Sequence, residues 1–244
     1  MSGRLRILIV DDHPIVRQGI RQTLGDAADV GELGEAATAQ EALDLVRQQD
    51  WDAVVLDIGL PGRGGLDVLK DIKQERPRLP VLILSMHAED QYAVRAIRAG
   101  AGGYLTKEAA ADKLLDAIRR ITTGGRFISP DLADLLATEL AAGAGGPPHA
   151  SLSDREFEVL RLIGSGLTVG DIADRFALSV KTVSTYRTRI LEKMRMKNNA
   201  ELMQYVLTNR LLAFLASEPR YLEVRKKFAA EQNEIRAALA NVAL

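Results

Sequence analysis

Leu5-Arg6-Ile7-Leu8-Ile9-Val10-Asp11-Asp12-His13-Pro14 is the stretch on which the fold turns. Its apolar run is nearly unbroken, as expected of a strand covered on both faces in a parallel sheet. Two acids end the run, and Pro14 suits the first turn of a following helix. Outward from this point the pattern repeats. Further strand candidates are Val30–Glu35, less apolar than the rest, Ala53–Leu56, Val81–Leu84 and Gly103–Leu105. Helical periodicity fills 14–24, 38–49, 65–75, 89–99 and 109–121. Thr38 with Glu41 spells a capping box, and Gly100 stands where a helix C-cap belongs. Alternation of this kind predicts a doubly wound α/β domain over 1–122, with helices on both faces of a five-stranded parallel sheet.

Residues 123–150 read as a connection. A helix is expected over 126–140, opening at Ser129-Pro130-Asp131, and the Gly- and Pro-rich stretch 141–150 is too poor in apolar side chains to pack a core. Residues 151–212 then read as a small all-α four-helix domain. Ser153 and Glu156 form a capping box, with Leu152 and Phe157 placed for the hydrophobic staple around it. The first helix stops at Gly164-Ser165-Gly166; a short helix follows at 169–176, a turn at Ala177-Leu178-Ser179 and a long helix at 180–195. The fourth starts after Asn198-Asn199 and runs to about Leu212. In the extension 213–244, Tyr221, Val224, Phe228, Ile235, Leu239 and Val242 share one helical stripe. The expectation is an amphipathic helix packed on its own domain, since Glu231 and Ala238 weaken the seam a coiled coil would need.

The chain has 244 residues, 47% of them apolar, enough for two cores. It contains no cysteine, which excludes disulfides and thiolate metal sites. Leu5–Val10 is too short for a secretory signal, and no stretch reaches membrane-spanning length, so the expected setting is the cytoplasm, without a membrane partner. The net charge of −1 hides an asymmetry. Residues 1–125 are acidic on balance and 151–212 basic; Lys181, Arg187, Arg189, Lys193, Arg195 and Lys197 face Glu192 alone within 180–197. Different partners are expected for the two halves.

In open parallel sheets, ligands bind at the carboxyl ends of the strands near the switch in strand order. With the usual 2-1-3-4-5 order, Asp11 and Asp12 after the first strand would converge with Asp57 after the third. Such crowding calls for a hard divalent cation, and Mg²⁺ takes carboxylates, waters and phosphate oxygens. Ser85 closes the fourth strand and Lys107 the fifth. A carboxylate can attack a phosphoryl group while metal and lysine stabilise the transferred oxygens. His13 reads as a helix-opening residue, Trp51 as core or rim packing, and His87 as a group near Ser85.

Asp11-Asp12, Leu56-Asp57 with Pro61-Gly62, Leu84-Ser85 and Gly103-Tyr104-Leu105-Thr106-Lys107 together resemble the receiver domain of two-component response regulators, a flavodoxin-like fold, over about 1–122. The resemblance implies that a sensor histidine kinase phosphorylates Asp57. It implies Mg²⁺ held by Asp12, Asp57 and the backbone carbonyl of Gly59, with Asp11 acting through water. Lys107 and Ser85 would engage the phosphoryl group, and Tyr104 would swing as Ser85 is drawn in. Glu108 stands where many receivers have Pro, and Gly59 carries no side chain toward the site.

A short helix, a turn and a longer helix make a helix-turn-helix, whose second helix enters the major groove. Val183, Ile190 and Met194 would face the core; Lys181, Thr182, Ser184, Thr185 and Thr188 lie on or beside the other face, flanked by Arg187 and Arg189. Basic groups there position the helix on phosphates, and hydroxyls reach base edges. Leu152-Ser-Asp-Arg-Glu156, Ile172-Ala173, Leu178-Ser-Val-Lys-Thr-Val183 and Ile190-Leu-Glu-Lys193 resemble the LuxR-type DNA-binding domain. With the receiver they resemble the NarL/FixJ family, which implies base reading by Ser184, Thr185 and Thr188, and homodimers on promoter half-sites with the fourth helix as a contact. The expected function is therefore a regulator of transcription switched by phosphorylation at Asp57, not an enzyme. Two other classes fit the residues less well. An aspartyl-phosphate phosphatase would space its two acids one residue apart after the first strand, and a protein-interaction output would lack salt-dependent DNA binding.

Overall fold

The computed structural model describes residues 4–60, 63–85, 91–142, 147–209 and 211. Pro61-Gly62, His87, part of the 141–150 connection and the 213–244 extension lie outside them. The backbone forms two compact units that divide between Ala150 and Ser151, except that Arg175–Ala177 cluster with the first.

In the first unit the strands are β1 (Leu5–Val10), β2 (Val30–Ala36), β3 (Ala53–Asp57), β4 (Val81–Ser85) and β5 (Gly103–Thr106). Between and after them run α1 (Pro14–Gly25), α2 (Ala39–Gln48), α3 (Gly65–Glu75), α4 (Gln91–Arg98) and α5 (Lys107–Thr122). The sheet is parallel throughout, in the order β2-β1-β3-β4-β5. This is the doubly wound topology expected from the alternation of apolar runs and helices. On one face Ile7, Ile9, Val55, Leu82 and Leu84 meet Leu24 of α1 and Leu114, Ile118 and Ile121 of α5. The intervening Leu8, Val54, Leu56 and Ile83 are buried as well, which is why these strands show no polar alternation. Trp51 is core: its indole N–H donates to the Leu45 carbonyl, and the Arg6 guanidinium lies 5.6 Å from the ring centroid.

Several local readings shift by a residue or two. Lys107 opens α5 rather than ending β5, because the Thr106 hydroxyl caps the Ala109 N–H. At α2, Glu41 reaches back to the Ala37 N–H, one residue before the N-cap Thr38. Beyond α5, Phe127 pairs with the edge of β5, and α6 (Pro130–Ala142) begins where Ser129 caps the Leu132 N–H. Among the described residues of the Gly- and Pro-rich stretch, His149 is buried. Pro148–Ser151 forms a 3-10 turn with His149 inside, held by Arg95 Nη2 donating to the His149 carbonyl at 2.8 Å. Burial, then the Arg95 charge, lowers the His149 imidazole to about 4, so it stays neutral.

The second unit comprises α7 (Asp154–Gly164), α8 (Val169–Phe176), α9 (Val180–Met194) and α10 (Asn199–Thr208). The capping box at Ser153 and Glu156 is complete in both directions. Val183, Ile190 and Met194 of α9 are buried, on the face the spacing predicts. The turn before α9 contains Ala177 at φ 50, and α9 ends on Arg195 at φ 56. Among the described residues no helix is long and apolar enough to cross a membrane.

Candidate functional site

Adjacent strands β1 and β3 carry their acids to one crevice: Val10 pairs with Leu56, so Asp11 and Asp57 emerge side by side. β4 and β5 bring Ser85 level with Thr106, next to Lys107. The Lys107 ammonium bridges the two acids, 2.6 Å from Asp11 Oδ2 and 2.8 Å from Asp57 Oδ2. Asp57 Oδ1 accepts the Gly59 N–H at 3.0 Å, and Asp11 Oδ1 accepts the His13 N–H at 2.8 Å. Asp11, Asp57 and Ser85 are buried; Tyr104 is fully buried within β5. Gly65 is required here, since a Cβ on it would collide with the Asp57 carbonyl oxygen.

Burial pushes the Asp57 carboxyl above the usual carboxylate range, and the Asp11 charge adds to the rise; Lys107 opposes both without overcoming them. Burial likewise disfavours charge on Lys107, but Asp57 and Asp11 outweigh it and hold the amine above its ordinary value. The crevice is thus short of positive charge. Asp11, Asp12, His13 and Asp57 each offer a ligand atom, all within 4.8 Å of one another. Asp12 Oδ1 is buried and accepts no hydrogen bond from the described residues, a penalty that a cation would relieve. The residues therefore fit a hard divalent ion. His13, read from sequence as a helix opener, is indeed the N-cap of α1, but its ring turns toward the acids. Its adjacency to Asp11-Asp12 was the available signal.

On α9, Lys181, Ser184, Thr185, Thr188 and Arg189 are exposed, whereas Thr182 and Arg187 are half-buried. Thr182 sits at the helix start, its N–H capped by Ser179 Oγ. The Thr185 and Thr188 hydroxyls donate to the Lys181 and Ser184 carbonyls, which leaves their oxygens able to accept from a base. Arg187 Nε donates to Asn199 Oδ1 at 2.6 Å, tying α9 to the start of α10. Lys193 reaches the buried Glu156 at 2.6 Å, tying α9 to the cap of α7. Neither tie is legible from helical spacing.

The response regulator receiver domain model matches residues 7–119, and the model for bacterial regulatory proteins of the luxR family matches 150–206. Response regulator GacA of Pseudomonas aeruginosa is 36% identical over 199 residues, covering 81% of this chain and 93% of that protein. Response regulator UvrY of Escherichia coli is 34% identical over 208 residues, covering 85% and 95% respectively. Among solved structures, RcsB of Salmonella enterica serovar Typhimurium, bound to the rprA promoter in the presence of phosphomimetic BeF3−, aligns at 26% identity. Its TM-score is 0.58, with 83% of this chain and 98% of that one covered. A LuxR-family two-component response regulator from Aurantimonas sp. aligns at 40% identity and TM-score 0.53, covering 57% of this chain and 99% of that one.

Proposed function

The chain belongs to the NarL/FixJ family of two-component response regulators, a receiver domain followed by a LuxR-type DNA-binding domain, and from that premise we propose that phosphorylation of Asp57 controls its binding to promoter DNA. The observation that carries this reading is the Lys107 ammonium held between Asp11 and Asp57 at the strand tips. An Asp57 oxygen attacks the phosphorus of a phosphohistidine on the sensor kinase. The P–N bond breaks, its electron pair goes to the imidazole nitrogen, and an aspartyl phosphate remains. Lys107 passes from pairing carboxylates to pairing the transferred oxygens, and Ser85 donates its hydroxyl to one of them. Mg²⁺, held by Asp12, Asp57 and the Gly59 carbonyl with Asp11 through water, would supply charge neutralisation for the phosphoryl oxygens. At most, the same constellation would let the chain catalyse its own phosphorylation from small phosphodonors and the later hydrolysis.

The kinase has a place to approach. A groove of about 220 Å³ between α1 and α5 opens beside Lys107, lined by Val16, Ile20, Leu84 and Leu114, and Ile15 nearby is exposed. Ser85 and Tyr104 then move inward, and the change raises the affinity of the recognition helix α9 for DNA. Two chains bind two half-sites, with α10 as a contact; Met203 and Leu207 are only half-buried there. Lys181 and Arg189 take phosphates, with Arg187 and Thr182 supporting them, and Ser184, Thr185 and Thr188 face the bases. Kinase, nucleotide and DNA share the cytoplasm, which is where the reading puts the protein.

The test is Asp57→Asn in the full chain. Phosphoryl uptake from acetyl phosphate should vanish, and the donor-dependent rise in promoter affinity should vanish with it. Uptake and regulation that survive the substitution would sink the proposal.

A further inference from the structure

We infer that α9 reads A·T pairs, with Val180 packing on a thymine methyl while Thr185 and Thr188 accept from adenine amino groups. The inference rests on the reading of α9 as the helix that enters the major groove, and it adds the class of base pair which that reading leaves open.

Val180 is the first residue of α9, directly after the N-cap Ser179. Val183, Ile190 and Met194 further along the helix are buried, whereas Val180 is 56% exposed. Among the described residues, Ile15 is the other large apolar side chain left open to this degree. Val180 shares the i, i+4, i+8 row with Ser184 and Thr188, so it carries that row to the helix N-terminus. In a helix-turn-helix it is the N-terminal residues of the recognition helix that meet the base edges. A valine has no donor or acceptor to offer there. The major-groove group that takes an apolar contact is the thymine 5-methyl.

The neighbouring hydroxyls are already committed. Thr185 Oγ1 donates to the Lys181 carbonyl at 3.0 Å and Thr188 Oγ1 to the Ser184 carbonyl at 3.1 Å. The Ser179 and Thr182 hydroxyls pair with each other at 2.8 Å. With its proton spent, each of Thr185 and Thr188 keeps an accepting oxygen and a methyl for a partner. An A·T pair matches both, through the adenine N6 amino group and the thymine methyl. A G·C pair has the cytosine N4 donor but no methyl, and its guanine presents two acceptors that an accepting oxygen cannot satisfy. Bidentate reading of guanine takes an arginine or a lysine. Arg187 is half-buried, with Nε held by Asn199 Oδ1 at 2.6 Å. Lys181 and Arg189 are exposed, and they serve the phosphates, which take roughly half to two-thirds of the hydrogen bonds in such interfaces.

The experiment selects binding sequences from a pool of randomised DNA duplexes, using the full chain with beryllofluoride at Asp57. Each selected half-site should hold at least one fixed A·T pair, and exchanging that pair for G·C should weaken binding about 5- to 150-fold. The selected duplex is then rebuilt with uracil in place of one thymine at a time, which deletes the 5-methyl and keeps every hydrogen-bonding group. Wild type should lose about three- to fourfold in affinity at one position per half-site, the worth of one buried methyl. Val180→Ala should bind the thymine and uracil duplexes equally at that position. Uracil tolerated everywhere by wild type, or a methyl effect that survives in Val180→Ala, overturns the inference and leaves the DNA-binding reading standing. Half-sites fixed on G·C pairs alone do the same. Selection that enriches no sequence overturns that reading and the inference together. The uracil scan on wild type needs no variant, so poor folding of Val180→Ala would not blunt the test.

Discussion

One ammonium serving two buried carboxylates leaves the Asp11–Asp57–Lys107 group unbalanced, and its members respond to substitution in opposite directions. Lys107→Ala removes the shared counter-charge from a site where Asp11 and Asp57 have 1% and 4% exposure. It should cost about 3 kcal/mol in denaturant unfolding, and stop phosphoryl uptake as well. The single tryptophan, Trp51, is buried in the same unit and reports the transition by fluorescence. Asp57→Asn should do the reverse. The Asp57 carboxyl lies above its ordinary value, so the folded protein holds its proton more tightly than the unfolded chain does. Its ionisation costs stability at every pH above its raised folded value, and below the ordinary carboxylate range the cost is gone. The variant should therefore melt at a higher temperature than wild type near neutrality, and the gap should close as pH falls through the carboxylate range. A gap constant with pH would show that Asp57 carries no such strain. A third substitution tests space rather than charge. Gly65→Ala puts a Cβ against the Asp57 carbonyl oxygen and the Ile58 Cα, both backbone atoms, and should cost about 1–3 kcal/mol.

At the scale of elements, the helices of the second unit are joined by groups that serve as caps. Glu156 closes the α7 capping box and also receives Lys193 of α9. Burial works against its charge, but Lys193 and the Ser153 groups hold the carboxyl below the usual range. Its stabilising contribution is present at neutral pH and lost as pH falls through that depressed value. Glu156→Ala should cost about 1–2 kcal/mol, read as a lower midpoint in the helical circular-dichroism transition; an unchanged midpoint would mean the cap and tie carry nothing. Apolar runs made β1, β3 and β4 legible, because strands buried on both faces leave no room for polar residues. β2 was fainter for a physical reason: it is an edge strand, and Glu32 and Glu35 lie along it. The acids at the strand tips followed from where the apolar runs end, and the buried stripe of α9 from a period of 3.6 residues. What periodicity could not carry was anything decided by where a side chain turns. The His13 ring swings back to Asp12, Arg187 reaches Asn199, Glu41 overshoots the N-cap, and His149 is buried within a Gly- and Pro-rich connection. Each depends on rotamers or on partners distant in the chain.

For the molecule as a whole, charge arithmetic constrains how the two halves can be coupled. The chain carries a net −1, and α9 is basic within it, so DNA affinity must come from local placement and should fall steeply with salt. A phosphoryl group adds about two negative charges to a unit that is already acidic on balance, and beyond a Debye length of about 8 Å its direct effect on the DNA is screened. Its direct electrostatic effect can only repel DNA. Tighter binding on phosphorylation must then arise from states of the protein that differ in affinity for both ligands. Coupling of that kind is reciprocal. If beryllofluoride at Asp57 tightens promoter binding by some factor, commonly about 5- to 150-fold, saturating promoter DNA must tighten beryllofluoride binding by the same factor. Both arms are titrations on the same full chain at one salt concentration. Asp57→Asn should bring both factors to one, while Lys181→Ala and Arg189→Ala should each lower the salt slope of DNA binding by about one unit. Equal factors in the two directions establish a single shared equilibrium; a beryllofluoride effect on DNA with no return effect would place the coupling outside the chain.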